Sequence, residues 1–125
     1  MNVELVSVER QVWSGQAKAL FGRTPEGELG ILPGHINLLG ALTPGWPVRI
    51  EREDAPDLKI AVDGAFLSVR KDGVSVLAEQ AEFAADVDVE QARADLHAAE
   101  SDSGEHAAAA RAWAMARLRA AGESV

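Results

Sequence analysis

The character of the chain changes at Asp86, and that break limits the possible fold more than any other feature. Before it, apolar and polar residues alternate in short runs separated by Gly, Pro and Asp. After it, alanine dominates through Ala121 and β-branched residues nearly vanish beyond Val89. A period of two marks half-buried strands, whereas alanine is the strongest helix former. The expectation is a strand-built region over residues 1–86 followed by a helical one over 87–125.

Within the first region, Val3, Leu5 and Val8 alternate with Asn2, Glu4, Ser7 and Glu9, which predicts a strand over 2–9. A second strand is expected over 11–20, interrupted by a bulge or bend at Ser14-Gly15. A turn cluster, Arg23 to Gly27, leads into Gly27-Glu28-Leu29-Gly30-Ile31-Leu32-Pro33-Gly34-His35. This block reads as a fixed, glycine- and proline-punctuated corner with an acid at one end and an imidazole at the other. Further strands are expected over 36–42, 47–53, 58–62, 65–70 and 74–79, with Asp63-Gly64 and Asp72-Gly73 as hairpin signals. Strands at this spacing indicate an antiparallel β-sandwich or a barrel.

In the second region, Asp88 is placed to cap a helix, and Gln91, three residues on, is placed to reach back to it. Val89, Ala92, Leu96 and Ala99 then share one face. Ser101-Asp102-Ser103-Gly104 interrupts, and a second helix is expected from His106 to about Ala121, with a weak cap from Asp102 and Glu105. Its stripe of Ala107, Ala110, Ala114, Leu118 and Ala121 is narrow enough for close helix packing. Gly122 ends it. The reading is an antiparallel two-helix hairpin. Its second helix carries Arg111, Arg117 and Arg119 without an acid between Glu105 and Glu123, a pattern that a helix dipole and a solvated face also explain.

At 125 residues and 47% hydrophobic content the chain can bury a core without staples. Its net charge of −8 argues against nucleic-acid binding and against docking on anionic lipid. There is no cysteine, hence no disulfide framework and no cysteine nucleophile. The N-terminus lacks the pattern of a secretory signal, and no run is long and apolar enough to span a bilayer, so a cytosolic chain without lipid insertion is expected.

Catalytic signatures are missing: there is no phosphate-binding glycine loop, no H-E-x-x-H and no G-x-S-x-G. His35 has no recognisable nucleophile near it, and a contact role suits it better than general-base work. His97 and His106 lie on different expected helices without a third ligand at useful spacing, so no metal site is assigned. The pairs Glu26/Glu28 and Glu51/Glu53 read as charges that keep an edge soluble. Spacing alone leaves a binding module and a structural subunit equally open.

The block from Gly27 to His35 resembles the epsilon subunits of bacterial F-type ATP synthases, whose pattern there is G-[ED]-[LI]-G-[IV]-x-P-G-H. Val3-Glu4-Leu5-Val6-Ser7, Trp13-Ser14-Gly15, Leu38 to Gly45, Asp63 to Val69 and Val74 to Glu82 agree with the same family in order and spacing. The resemblance implies an N-terminal β-sandwich with a C-terminal helical hairpin. It implies a non-catalytic rotor subunit without a cofactor. Its partners would be the gamma subunit, the c-subunit ring and the alpha/beta catalytic head, at the cytoplasmic face of the bacterial plasma membrane. By motif position it places Glu28 and His35 toward the c ring, and Ser7 and Val76 on strands toward gamma. The hairpin would restrain ATP hydrolysis along gamma or fold back on the sandwich. Arg111, Arg117 and Arg119 are then candidates for contact with the catalytic head. A free-standing sandwich module with a helical lid is the alternative reading.

Three departures from the family stand out. Gly64-Ala65 replaces a common Gly-Gly, and the C-terminal part is short. In the stretch that some members use to bind ATP, I/L-D-x-x-R-A, Asp88 and Ala92 match but Gln91 replaces the arginine. The missing guanidinium fork implies weak or absent ATP binding.

Overall fold

Period-two alternation becomes strands wherever one face has a core to enter. The computed structural model describes residues 1–125. Its strands are β1 (Asn2–Ser7), β2 (Gln11–Gln16), β3 (Ala19–Thr24), β4 (Gly27–Ile31), β5 (Leu38–Ala41), β6 (Pro47–Glu51), β7 (Leu58–Asp63), β8 (Phe66–Arg70), β9 (Gly73–Ala78) and β10 (Gln80–Phe83). They form two five-stranded sheets, ordered β2-β1-β9-β8-β5 and β10-β7-β6-β3-β4. All neighbours are antiparallel except β1 and β9, which run parallel with Val3 beside Val74 and Leu5 beside Val76. The two inner faces interleave around Val3, Leu5, Leu20, Ile31, Val48, Ile50, Ile60, Leu67, Val74 and Val76, all buried. The sandwich follows from this packing.

Several local features depart from the sequence reading. The break in the second expected strand lies at Ala17-Lys18, not Ser14-Gly15. There the chain crosses between sheets: the Ala17 N–H donates to the Met1 carbonyl and the Lys18 N–H to the Glu51 carbonyl. Gly15 stays within β2 because Trp13 covers it, and a β-carbon there would meet the indole at 2.8 Å. The register instead slips between Leu5 and Val6, which pair with Trp13 and Gln11. Asp63-Gly64 is no hairpin. It joins β7 of one sheet to β8 of the other, with Gly64 at φ +58. Only the second Asp-Gly closes a hairpin, where Arg70 faces Gly73 across β8 and β9. Residues 80–83 form an edge strand on β7.

A 3₁₀ turn (Ala84–Asp86) leads to α1 (Val89–Glu100) and α2 (Ala107–Ala120). Asp88 caps α1, its Oδ1 accepting the Gln91 N–H at 3.1 Å. The reciprocal half of the box does not form, because the Gln91 side chain donates to Asp95 Oδ1 one turn on, at 2.8 Å. Replacing Asp88 by alanine is expected to lower stability by about 1 kcal/mol, read as a fall in the midpoint of thermal unfolding. Asp102 does not cap α2; its Oδ1 accepts the Gly104 N–H inside the connecting turn. Gly122, at φ +84, ends α2 as a Schellman turn. Its N–H donates to the Arg119 carbonyl, and the Glu123 N–H donates to the Leu118 carbonyl.

Helix α1 buries Ala92 and Ala99 and half-buries Val89 and Leu96, as its spacing predicts. Helix α2 buries more than one stripe. Ala107, Ala114 and Leu118 are buried as expected, but Ala110 is exposed. A second face, Ala116 and Ala120, packs on Ala61 of β7, with Trp113 and Ala84 at its margin. The hairpin therefore lies folded back on the outer face of one sheet.

Candidate docking surfaces

The glycine-rich corner is built from two different pieces. Gly27 to Ile31 is the edge strand β4, paired with β3, and Glu28 sits opposite Arg23. Only Leu32 to His35 is a turn, closed by the His35 N–H donating to the Leu32 carbonyl at 3.0 Å. Gly34 has φ +85 with nothing near its missing side chain, so backbone conformation alone calls for glycine there. The turn pushes Leu32 and Ile36 into solvent, 58% and 79% exposed. His35 Nδ1 lies 2.7 Å from the Ile36 carbonyl. The nitrogen on that side therefore carries the hydrogen in the neutral ring, leaving Nε2 as an outward acceptor. Glu28 and His35 both line a cleft of about 490 Å³ between the edge strands β4 and β5, with Leu29, Leu38 and Leu42. No carboxylate or hydroxyl is hydrogen-bonded to His35, and no three potential metal ligands converge anywhere in the chain.

The outer face of the first sheet carries a feature missed in the sequence. Phe66 and Leu77 face each other across β8 and β9, 40% and 50% exposed, and Leu39 on β5 is 68% exposed. Val6 stands beside Leu77 on β1. Their signal was present: within Val74-Ser75-Val76-Leu77-Ala78, the inward set is Val74, Val76 and Ala78, so Leu77 is an apolar residue on the polar side. Ser7 and Val76, expected on strands toward gamma, do not themselves reach the outer face of this sheet. Val76 is fully buried between the sheets and Ser7 is 8% exposed, its Oγ bonded to the backbone of Arg10. Both belong to the inward set of their strands.

The three arginines of α2 part company. Arg111 is exposed. Arg117 is held by its own molecule, its Nε donating to Glu82 at 2.9 Å and its Nη1 to Asp95 at 3.3 Å, with 11% of its side chain exposed. It therefore ties α2 to β10 and to α1 at once. Arg119 donates to the Gly45 carbonyl at 2.6 Å and lies 3.8 Å from the centre of the Trp46 ring. Arg23 lies against the same ring at 4.2 Å. Burial, and then the like charge of Arg23, pull the Arg119 guanidinium below its ordinary pKa. Arg117 and Arg119 are thus committed to this chain's own folded-back arrangement, and only Arg111 of the three is free of such contacts. At the start of α1, Gln91 is spent on Asp95, and Arg93 reaches Glu123 at 2.7 Å.

The family model for the β-sandwich domain of the ATP synthase delta/epsilon chain matches residues 1–84. The chain belongs to the ATP synthase epsilon family. The ATP synthase epsilon chain of Mycobacterium tuberculosis is 53% identical over 122 residues, which cover 98% of this chain and 95% of that one. The epsilon chain of Mycobacterium avium is 52% identical over the same spans. Epsilon chains are subunits of the synthase and not its catalysts. The fold also recurs in a chain of the Euglena gracilis mitochondrial ATP synthase, solved as OSCP, F1 and c ring. There the TM-score is 0.72 at 24% identity, over 93% of this chain and 73% of that one. A chain of the Tetrahymena thermophila central stalk and c ring gives 0.62 at 18% identity, over 97% and 95%. No helix of this epsilon-type chain is long and apolar enough to cross a membrane.

Proposed function

We propose that this chain is the non-catalytic epsilon subunit of the central stalk of a proton-translocating ATP synthase, held at the cytoplasmic face of the bacterial plasma membrane by its partners. The observation that carries this reading is the asymmetry of the sandwich. One sheet is covered by the molecule's own hairpin, while the other leaves Leu39, Phe66 and Leu77 in solvent. An apolar stripe on a rigid sheet suits a permanent partner, and gamma is assigned to it. The turn from Leu32 to Ile36, with His35 and the nearby Glu28, is assigned to the c ring. A short turn with a fixed backbone costs little ordering on docking. Rotation of this assembly couples proton flow to ATP synthesis.

Residues 87–125 are assigned the regulatory role, restraining hydrolysis when the helices leave the sandwich. In that state Arg117 and Arg119 join Arg111 as contacts for the catalytic head. Co-expression with gamma tests the reading: a stable complex is expected, whereas recovery of the free chain alone would leave a free-standing sandwich module with a helical lid. ATP binding by the isolated chain is expected to be weak or absent, because Gln91 cannot grip a phosphate and is already bonded to Asp95. Calorimetry showing micromolar affinity would refute that.

A further inference from the structure

The turn from Leu32 to His35 stands as a ridge between two grooves, and His35 lines both. On one side is the cleft of about 490 Å³ between β4 and β5, where Glu26 and Glu28 supply the charge. On the other is a groove of about 420 Å³ between this turn and the β8–β9 turn, where Arg70 and Lys71 supply it. One flank of the ridge is therefore acidic and the other basic. All four charged side chains are exposed, and none forms an ion pair within the chain. Arg70-Lys71 is the one place where two basic residues are adjacent in a sequence of net charge −8. Asp72 follows them without pairing to either, and it lines a separate depression with Asn2, Glu4 and Ser75, which Arg70 also borders.

Both walls of the basic groove are fixed. Arg70 faces Gly73 across the turn, and Gly73 lies so close to β1 that a β-carbon there would meet the Asn2 carbonyl oxygen at 2.8 Å. Pro33 and the left-handed Gly34 hold the ridge. Rigid walls lose little freedom when a partner enters. Leu32 and Ile36 add exposed apolar surface at the crest.

Such a surface fits a partner that offers a base on one side of an apolar contact and an acid on the other. A ring of identical subunits does so by repetition. The basic group of one loop meets Glu26 and Glu28, and the acidic group of the next meets Arg70 and Lys71, whereas the exchanged placement would oppose like charges. We infer that the groove at Arg70 and Lys71 receives a carboxylate from a c-subunit loop, so that the ridge is seated between two neighbouring copies of that loop. The inference rests on the assignment of the Leu32–Ile36 turn to the c ring.

Immobilised c rings titrated with the co-expressed gamma–epsilon complex test it. Arg70→Glu/Lys71→Glu is expected to bind about tenfold or more weakly at roughly 50 mM salt, with the difference closing toward about 500 mM. Glu28→Lys, on the other flank, should weaken binding by a similar factor. Arg10→Glu, at an exposed arginine beyond the opposite end of β1, should leave it unchanged, with thermal unfolding as the check on folding. Carbodiimide should join the Lys71 amine to a c-subunit carboxylate as an amide, detected by mass spectrometry and absent in Lys71→Gln. Full binding by the double variant beside poor binding by Glu28→Lys would overturn the inference and keep the c-ring assignment. Full binding by both would remove that assignment and the inference with it. A loss in Arg10→Glu equal to that in the double variant would overturn it as an effect of net charge. Capture on anionic lipid vesicles as strong as on c rings, and lost in the double variant, would overturn it in favour of lipid headgroups.

Discussion

Phe66→Asp and Leu77→Asp are expected to abolish stable association with gamma while leaving the chain folded. Each places a charge in the middle of the exposed stripe, where a docked partner would strip it of water. Apolar anchors near the centre of an interface commonly contribute about 2–4 kcal/mol, roughly thirty- to a thousandfold in Kd. Both side chains already point to solvent in the free chain, so its unfolding midpoint should move little. The neighbouring substitution gives the contrast. Val76→Asp forces a carboxylate between the sheets beside Leu5 and Leu67, and the chain should fail to fold. The milder Val76→Ala should cost about 2 kcal/mol through the cavity it leaves without changing affinity per folded molecule. Binding measured by surface capture of gamma, with thermal unfolding in parallel, separates the two faces of one strand. Full binding by Leu77→Asp and Phe66→Asp would exclude the first sheet as the docking face.

Ala116→Leu is expected to release the hairpin. Ala116 has no exposed surface and packs on Ala61 and Ala120, so α2 lies almost backbone to backbone on β7. The larger side chain cannot be accommodated without lifting the helix. Overpacking of this kind costs about 1–3 kcal/mol, enough to shift a docked helix while the core between the sheets stays intact. Hydrogen exchange should show α2 amides exchanging roughly ten- to a hundredfold faster, with β6 and β7 still protected. If hairpin release restrains hydrolysis as proposed, an assembled synthase carrying the variant should hydrolyse ATP more slowly. Unchanged exchange in α2 would show that the helix is held mainly by Arg117 and Arg119 beside that face.

The break at Asp86 was readable because composition is a local property, and the same holds for the cap at Asp88 and the stop at Gly122. What was not readable depends on partners distant in sequence. Asp63-Gly64 has the chemistry of a hairpin, and only the assignment of β7 and β8 to different sheets makes it a crossover. Residues 80–83 alternate as Gln-Ala-Glu-Phe but are only four long, and they become a strand because β7 offers them an open edge and the core takes Ala81 and Phe83. Arg117 looks free in the sequence, since Glu82 lies on another element and Asp95 on another helix. Leu77 is the opposite case. The alternation around it was visible, and following that pattern to its outward side would have directed attention from Val76 to Leu77.

The parallel pairing of β1 with β9 has a consequence for how the molecule comes into being. Strand β1 hydrogen-bonds on one side to β2, which follows it at once, and on the other to a strand that begins only at Gly73. A lone hairpin of β1 and β2 is marginal in water, so the first sheet must wait until nearly the whole sandwich has been synthesised. Closing so long a loop makes this step slow compared with forming the helices. The helical hairpin follows the sandwich in sequence and docks on the second sheet. During synthesis the edge of β1 that β9 will take therefore stays unpaired until Gly73 and the residues after it have been made, and the exposed Glu4 on β1 is a charge that discourages premature pairing with another chain there.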